Sequence, residues 1–433
     1  TLLEDTKALD EVVVVGYGTQ LRRSVSSAVS SIDVNDAVNT TASSISQNLS
    51  GRAAGLTANL LSAQPGGGVN LQIRGTATGR APLIVIDGMP TSDFSPSTVG
   101  RFGTGNLDAT LSTLNPNDIV SIDILKDASA TSIYGSKAAG GVILITTKSG
   151  SIGRTNNIDV VFSGSAGMQE YYNIPEMLTG AEYMQETNRV LYEDFLYNSR
   201  QSVYSNVPKP ANWREPAPYI PFYTDAQIDE YKSGRKTGTD WLDLITRTGF
   251  VQDYNLSVTG NQNNAQYLVS FSAFDQKGIV KGNDLNKYTG RVNLDQKFGD
   301  KVNAGVKLNF SQINSDNVSI GNGGLWENAG VVLSAIQFDP TLPVFDENGN
   351  YQPNVRQSNF HNPVSILEIE NKTRLEHLMA TAYVNYRILP ELSLRLQTGF
   401  DRNQSQNYHY NPTTTISGKS TEGRADRAGN EST

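Results

Sequence analysis

Cysteine is absent from all 433 residues, so neither a disulfide framework nor thiol chemistry is available. Histidine occurs only at His361, His377 and His409, with no HExxH or other paired ligand spacing, which argues against a catalytic zinc site. Long apolar runs are missing too. The longest, such as Val12–Val15 and Leu83–Ile86, hold four or five residues, whereas a membrane-crossing helix needs about 20. That excludes a helical span but not a membrane barrel, whose strands are only half apolar. A basic stripe is also lacking, and the net charge of −8 argues against nucleic acid as a partner. The stretch SGKST (Ser417–Thr421) lacks the upstream glycine of a phosphate loop, and no G-x-S-x-G elbow occurs. In Asp346–Asn350, which resembles a calcium loop, Tyr351 stands where glycine is required, so a turn is expected. No enzyme, metal or cofactor is expected. No signal peptide precedes Thr1, so either the mature chain starts there or the protein is cytoplasmic.

What the chain has in quantity is Tyr (19), Gly (39) and Asn, residues that suit strands and hairpin turns. Its length implies two or more domains. The stretch Leu114–Lys148 organises the first part. Ile119, Ile122 and Ile124 form an apolar strand, Asp127 is a good N-cap for a short helix over 128–134, and Gly135 can end that helix. Val142–Thr147 is a β-branched run between Gly-Gly and Lys-Ser-Gly, the pattern of a buried strand. Upstream, Ser43–Leu56 reads as a short helix with Ile45, Leu49 and Ala53 on one face, ended by Gly55. Gln64–Gly68 is a turn, Val69–Gly75 a half-buried strand, and Ala81–Pro90 a buried strand ended by Asp-Gly. The Ser/Thr/Gly-rich loop Thr91–Thr113 carries Phe94, Arg101 and Phe102, which can grip a ligand or simply anchor the loop. Near the N-terminus, VVVVGYG has the glycines of a dinucleotide fold, but Leu21 occupies the third glycine position. An edge strand, or a strand offered to a partner, fits better.

After residue 150 the pattern changes to long alternating strands: 157–168, then 249–261, 265–276, 287–298, 301–314, 376–388 and 391–403. Val302, Ala304, Val306, Leu308 and Phe310 share one face and Lys301, Asn303, Lys307 and Asn309 the other. Ten or more residues exceeds the usual strand of about five or six and suits a membrane barrel, apolar outward. Connections alternate. Those near 261–264, 298–301 and 389–391 are tight, and those at 169–248, 277–286 and 315–375 are longer. Such parity places 169–248 and 315–375 on the outer side; a soluble all-β fold is the weaker alternative. In the first outer loop Tyr171, Tyr172, Trp213, Tyr219 and Tyr223 can stack on sugar faces, pack on a partner, or hold the loop together, and a helix is expected from about 179.

Three blocks, LDEVVVVGYGTQ (9–20), LQIRGTATGRAPLIVIDGMP (71–90) and the 114–150 stretch, resemble the plug domain of the SusC/RagA family of TonB-dependent outer-membrane transporters of Bacteroidetes, in family order and spacing. The resemblance implies a small α/β plug domain (20–150) followed by antiparallel transmembrane strands (151–433) of a barrel that has 22 strands when complete. It implies that Asp10, Glu11, Val12, Val13, Val14, Val15, Gly16 and Tyr17, within an N-terminal extension (1–19), form the TonB box. It also implies TonB, powered by ExbB/ExbD, and a SusD-like surface lipoprotein as partners, in a dimer of such pairs in a Gram-negative outer membrane. Glycan oligosaccharides are the expected cargo. Oligopeptides, as in the RagA branch, are the alternative, and a siderophore or a non-transporting surface barrel is less favoured. Seven strands fall short of 22, and the polar ending GRADRAGNEST shows no terminal strand, so a longer parent protein is expected; the extra domain that often precedes the box in this family is not seen.

Overall fold

A computed structural model describes residues 12–15, 18–21, 29–33, 44–75, 80–92, 109–150, 157–199, 214, 217–262, 264–319, 330–354, 356–357 and 360–433. β1 (Val12–Val15) and β2 (Gly18–Leu21) form a separate antiparallel pair. The plug that follows contains β3 (Val29–Asp33), α1 (Ile45–Asn48), the hairpin β4 (Leu56–Leu60) and β5 (Val69–Ile73), β6 (Leu83–Ile86), β7 (Met89–Pro90) and α2 (Ala109–Ser112). It continues through β8 (Ile119–Leu125), α3 (Ala128–Thr131) and β9 (Val142–Thr147). Its sheet runs β3-β8-β9-β6-β7, with β6 and β9 parallel and the other neighbours antiparallel.

Both faces of this sheet are covered, so β9 carries no polar alternation. Ile143 and Ile145 join Ile122, Ile124, Ile45, Leu49 and Leu71 on one side; Val142 and Leu144 join Leu83, Val85 and Leu125 on the other. Each isoleucine so buried contributes about 1.5–3 kcal/mol. Two local expectations change. The helix expected over 43–56 is a single turn, because Gly51 (φ 72°) breaks it before Gly55 (φ 77°), although Ile45, Leu49 and Ala53 are all buried. Asp127 has N-cap backbone geometry but caps nothing. Its carboxylate accepts from Arg74 Nη1 at 2.6 Å, a charged donor that outcompetes the helix amides. Gly135 (φ 66°) does interrupt the helical stretch, which continues as 3₁₀ turn to Gly140.

The second part is one antiparallel sheet in sequence order: β10 (Asn157–Gln169), β11 (Gly249–Gln262), β12 (Ala265–Lys277), β13 (Asn283–Phe298), β14 (Val302–Asn317), β15 (Glu370–Leu389), β16 (Leu392–Asn411) and β17 (Arg424–Ser432). Register aligns Val160, Val258, Val269, Val292, Leu308, Ala380 and Phe400 in one row across seven strands, all pointing away from the plug. This is the apolar belt that a lipid-facing wall requires. Turns of two or three residues close β11–β12, β13–β14 and β15–β16 at one end.

β17 corrects the sequence reading, which expected seven strands and none at the chain's end: Arg424–Ser432 pairs with Asn403–Asn411. Likewise β15 begins at 370 rather than 376, and β16 runs to 411 rather than 403. All of these segments lie above the belt, where apolar side chains are sparse, Leu375 being one, and the alternation that marks a strand disappears.

The long connections pack together at the opposite end from the tight turns. The first carries α4 (Gly180–Asn198), opened by a Thr179/Glu182 capping box, then α5 (Asp225–Lys232) and α6 (Trp241–Ile245). The second carries α7 (Gly330–Gln337) and α8 (Pro363–Ile366). Trp241, Ile245, Val331, Phe338 and Ile366 share a core, and Trp241 Nε1 donates to the Asp339 carbonyl at 3.1 Å.

Candidate functional site: the joint between plug and wall

The plug rests against the inward face of β11–β16, and its seat is built mainly from polar groups. The β6–β7 turn leads it. Asp87 (φ 51°) and Gly88 (φ 82°) reverse the chain as an Asp-Gly pair can. The turn projects the Asp87 carboxylate, whose side chain is 4% exposed, toward the wall. There it meets Lys307 Nζ at 3.0 Å and Arg291 Nη1 at 3.5 Å, while the Thr147 amide and hydroxyl donate to it at 3.0 and 2.7 Å. Burial pushes its pKa up, but Lys307, Arg291 and the two Thr147 hydrogen bonds together outweigh burial and hold it below the ordinary value. Asp118 shares the same guanidinium, 3.7 Å from Arg291 Nε, and accepts from the Ser270 hydroxyl at 2.6 Å. Here burial wins over Arg291, and the pKa is raised. One cation thus serves two carboxylates of opposite character.

The rest of the seat is neutral or singly charged. Beyond the turn, Met89 enters the notch left by Gly399; a Cβ there would fall 1.7 Å from its Sδ. The Ser92 amide and hydroxyl donate to Asp401 Oδ2 at 2.9 and 3.0 Å, and Asp401 Oδ1 lies 2.6 Å from His377 Nε2. Serine, aspartate and histidine meet here, yet the hydroxyl bonds the carboxylate and not the imidazole, so the nucleophile–base contact of a triad is not formed. Asn115 Nδ2 donates to Asn255 Oδ1 at 2.7 Å, and Asn293 Nδ2 to the Lys148 carbonyl at 2.6 Å. At the far end, the turn between β4 and β5 reaches the upper rim. Gln64 Nε2 donates to Asn283 Oδ1 at 2.8 Å and to the Val318 carbonyl at 2.6 Å.

The residues singled out from sequence fall in three places. Val12–Val15 pair with Gly18–Leu21; Asp10, Glu11, Gly16 and Tyr17 lie outside the described residues, as do Phe94, Arg101, Phe102 and Trp213. Tyr171 (39% exposed) and Tyr172 (103%) stand open on the first outer connection. Tyr219 packs edge-on against Tyr192 and at a tilt against Phe195, and donates to the Asn188 carbonyl at 3.0 Å. Tyr223 is buried and donates to Asp339 Oδ2 at 3.2 Å, so both brace the outer layer. Sequence reasoning missed the joint itself. In sequence Asp87 is a turn residue and Lys307 a member of a polar strand face; nothing local pairs residues 220 positions apart.

Residues 22–142 match the family model of the TonB-dependent receptor plug domain. The chain is 32% identical over 424 residues to TonB-dependent receptor P26 of Formosa agariphila, covering 94% of this chain and 38% of that protein. It is 29% identical over 426 residues to TonB-dependent receptor SusC of Bacteroides thetaiotaomicron, covering 92% and 37%. Among solved structures, the RagAB peptide importer in its open-open state superposes with a TM-score of 0.69 at 24% identity, covering 93% of this chain and 43% of that one. The chain therefore spans well under half the length of the curated relatives it matches. With the plug matched by its own family model and the relatives aligned across plug and wall alike, the chain belongs to the SusC/RagA family of TonB-dependent outer-membrane receptors, of which it carries the plug and the adjoining wall strands.

Proposed function

We propose that the receptor containing this chain actively imports nutrient oligomers, glycan oligosaccharides first among them, across the outer membrane. The observation that carries this reading is the chemistry of the joint. The plug's apolar core takes in one wall side chain, Met379, but its other contacts with the wall are chiefly hydrogen bonds and ion pairs that water can replace, at a net cost of about 1 kcal/mol for each neutral bond. A plug seated this way can be displaced without being unfolded. The division into a TonB-box extension (1–19), plug (20–150) and wall (151–433) follows from the same reading.

Force enters at Asp10–Tyr17. Val12–Val15 pair on one edge only among the described residues, with Gly18–Leu21, which suits strand addition by TonB, energised through ExbB/ExbD. A SusD-like lipoprotein is the proposed partner at the outer face, in a dimer of such pairs, near Tyr171 and Tyr172. Phe94, Arg101 and Phe102 are the proposed plug contacts to cargo. The inward row of β16 above Asp401 reads Asn403, Ser405, Asn407, His409, Asn411. Amides, a hydroxyl and an imidazole suit sugar hydroxyls better than a charged peptide. The RagAB likeness concerns fold alone and does not tip the balance toward peptides.

Deleting residues 10–17 from the full receptor tests the reading. Uptake of radiolabelled oligosaccharide should be abolished while binding at the cell surface is retained. Undiminished uptake would refute the assignment.

A further inference from the structure

A second site lies on the outward face of the wall, away from the plug. Two register rows above the apolar belt enclose a concavity of about 620 Å³. The first row is 286–314–374–406–429 and the second 284–316–372–408–427, spanning β13 to β17. The volume lies within the range of small-ligand sites, roughly 300–1,000 Å³. A barrel's outer face is convex, so a hollow there needs tall side chains around short ones. Lys372, Arg374, Tyr408 and Arg427 supply the walls and Gly429 the gap.

The lining is set in place by its own contacts. Lys372 pairs with Glu370 at 2.8 Å, Arg374 pairs with Glu376, and the Arg427 guanidinium lies 5.3 Å over the Tyr408 ring. Carboxylates (Asp284, Asp316), amides (Gln406 among them), cations and an aromatic ring together make a surface that can both accept from and donate to sugar hydroxyls. The two carboxylates leave no large cationic excess, so a bare phosphate is less well matched than a saccharide.

Height identifies the source of that saccharide. The rows begin four and six residues above Phe310 and Leu378, the top of the belt. At about 3.3 Å per residue and a tilt near 40°, that is roughly 10–15 Å above the hydrocarbon edge. We propose that this groove binds the saccharide head group of an outer-leaflet glycolipid, an annular ligand distinct from the transported cargo. The assignment rests on the wall's lying in the outer membrane, not on what the receptor imports.

The test uses the full receptor, extracted in mild detergent from its native outer membrane, with glycolipid quantified per polypeptide by mass spectrometry. Wild type should retain about one glycolipid through washing, and R374A/Y408A/R427A should retain at least tenfold less. Lipooligosaccharide added back should rebind to wild type, while its deacylated saccharide at equal concentration should not displace it. Retention equal to wild type in the triple variant, or equal competition by the free saccharide, would overturn the proposal. So would capture of a neighbouring polypeptide, in place of glycolipid, by a photocrosslinker at position 406. If the triple variant inserts poorly, the single Y408A and R427A variants carry the measurement. Cargo uptake should be unchanged in every variant that inserts, which separates this claim from the transport reading.

Discussion

Asp87 and Asp118 face the same arginine, yet substitution should treat them differently. Replacing Asp87 with Asn removes the carboxylate that Lys307 meets at 3.0 Å and leaves Arg291 with Asp118 alone, at 3.7 Å. Breaking a buried pair from one side costs about 3–5 kcal/mol. Asp118 is held at a cost already, since burial outweighs its partner, so Asp118→Asn should cost under about 1 kcal/mol or stabilise. Proteolytic release of the plug in the two variants should separate them; equal sensitivity would show that the carboxylates are interchangeable. The pH dependence follows with opposite signs. A depressed carboxylate contributes above its unfolded pKa, about 3.9, and loses that contribution as pH falls through the lower folded value. A raised one binds its proton more tightly when folded, so its unfavourable contribution grows as pH rises from about 3.9 through the folded value and is complete above it. Acidification from pH 7 toward 4 should therefore tighten the joint through Asp118, and only deeper acid should loosen it through Asp87. In Asp118→Asn the first phase should vanish from a plot of plug protection against pH.

At the scale of elements, the wall strands are two materials joined end to end. Below Phe310 and Leu378 the outward positions of β14 and β15 are apolar or aromatic; above them stand Gln312, Glu376 and, on β16, Gln404. Leu396, 72% exposed in the belt, should tolerate no charge. Leu396→Arg should destabilise the inserted barrel by about 2–4 kcal/mol, whereas Gln404→Arg should cost under about 1 kcal/mol. Heat-modifiability on gels of the inserted receptor reads this difference, and equal losses would mean that the belt does not end where the register places it. The same boundary decided what could be read in advance. Val302–Phe310 alternates because one side meets lipid, and β9 reads as a solid apolar run because both its faces are covered. Where both faces are polar, as in Arg424–Ser432, period two leaves no trace and the strand was missed. The helix from about 179 was legible in its amphipathic pattern, the short helix Asp225–Lys232 was not expected despite its Thr224/Gln227 capping box, and the helix over 43–56 was drawn too long because Gly51 takes positive φ. The joint was least legible of all. Its chemistry lies in pairings such as Asp87 with Lys307 and Ser92 with Asp401, which only register and closure of the sheet bring together.

For the whole molecule, the question is which part of the plug must yield for cargo to pass. The sheet β3-β8-β9-β6-β7 keeps Ile122, Ile124, Ile143 and Ile145 out of water, and opening it costs about 1.5–3 kcal/mol for each. Each neutral wall hydrogen bond exchanges with water at a net cost of about 1 kcal/mol. Displacement as a body is thus favoured over unfolding, and it requires that the upper contact, Gln64 with Asn283 and Val318, part along with the lower ones. This chain has no cysteine, so Gln64→Cys and Asn283→Cys introduce its only pair. Bridging them with a reducible bifunctional reagent should leave surface binding of cargo intact and cut uptake at least tenfold, with recovery on reduction. Full uptake by the bridged receptor would mean that the β4–β5 turn stays on the rim while the remainder of the plug opens a path. The moving part would then be confined to the segments below it, beginning with the Asp87 turn.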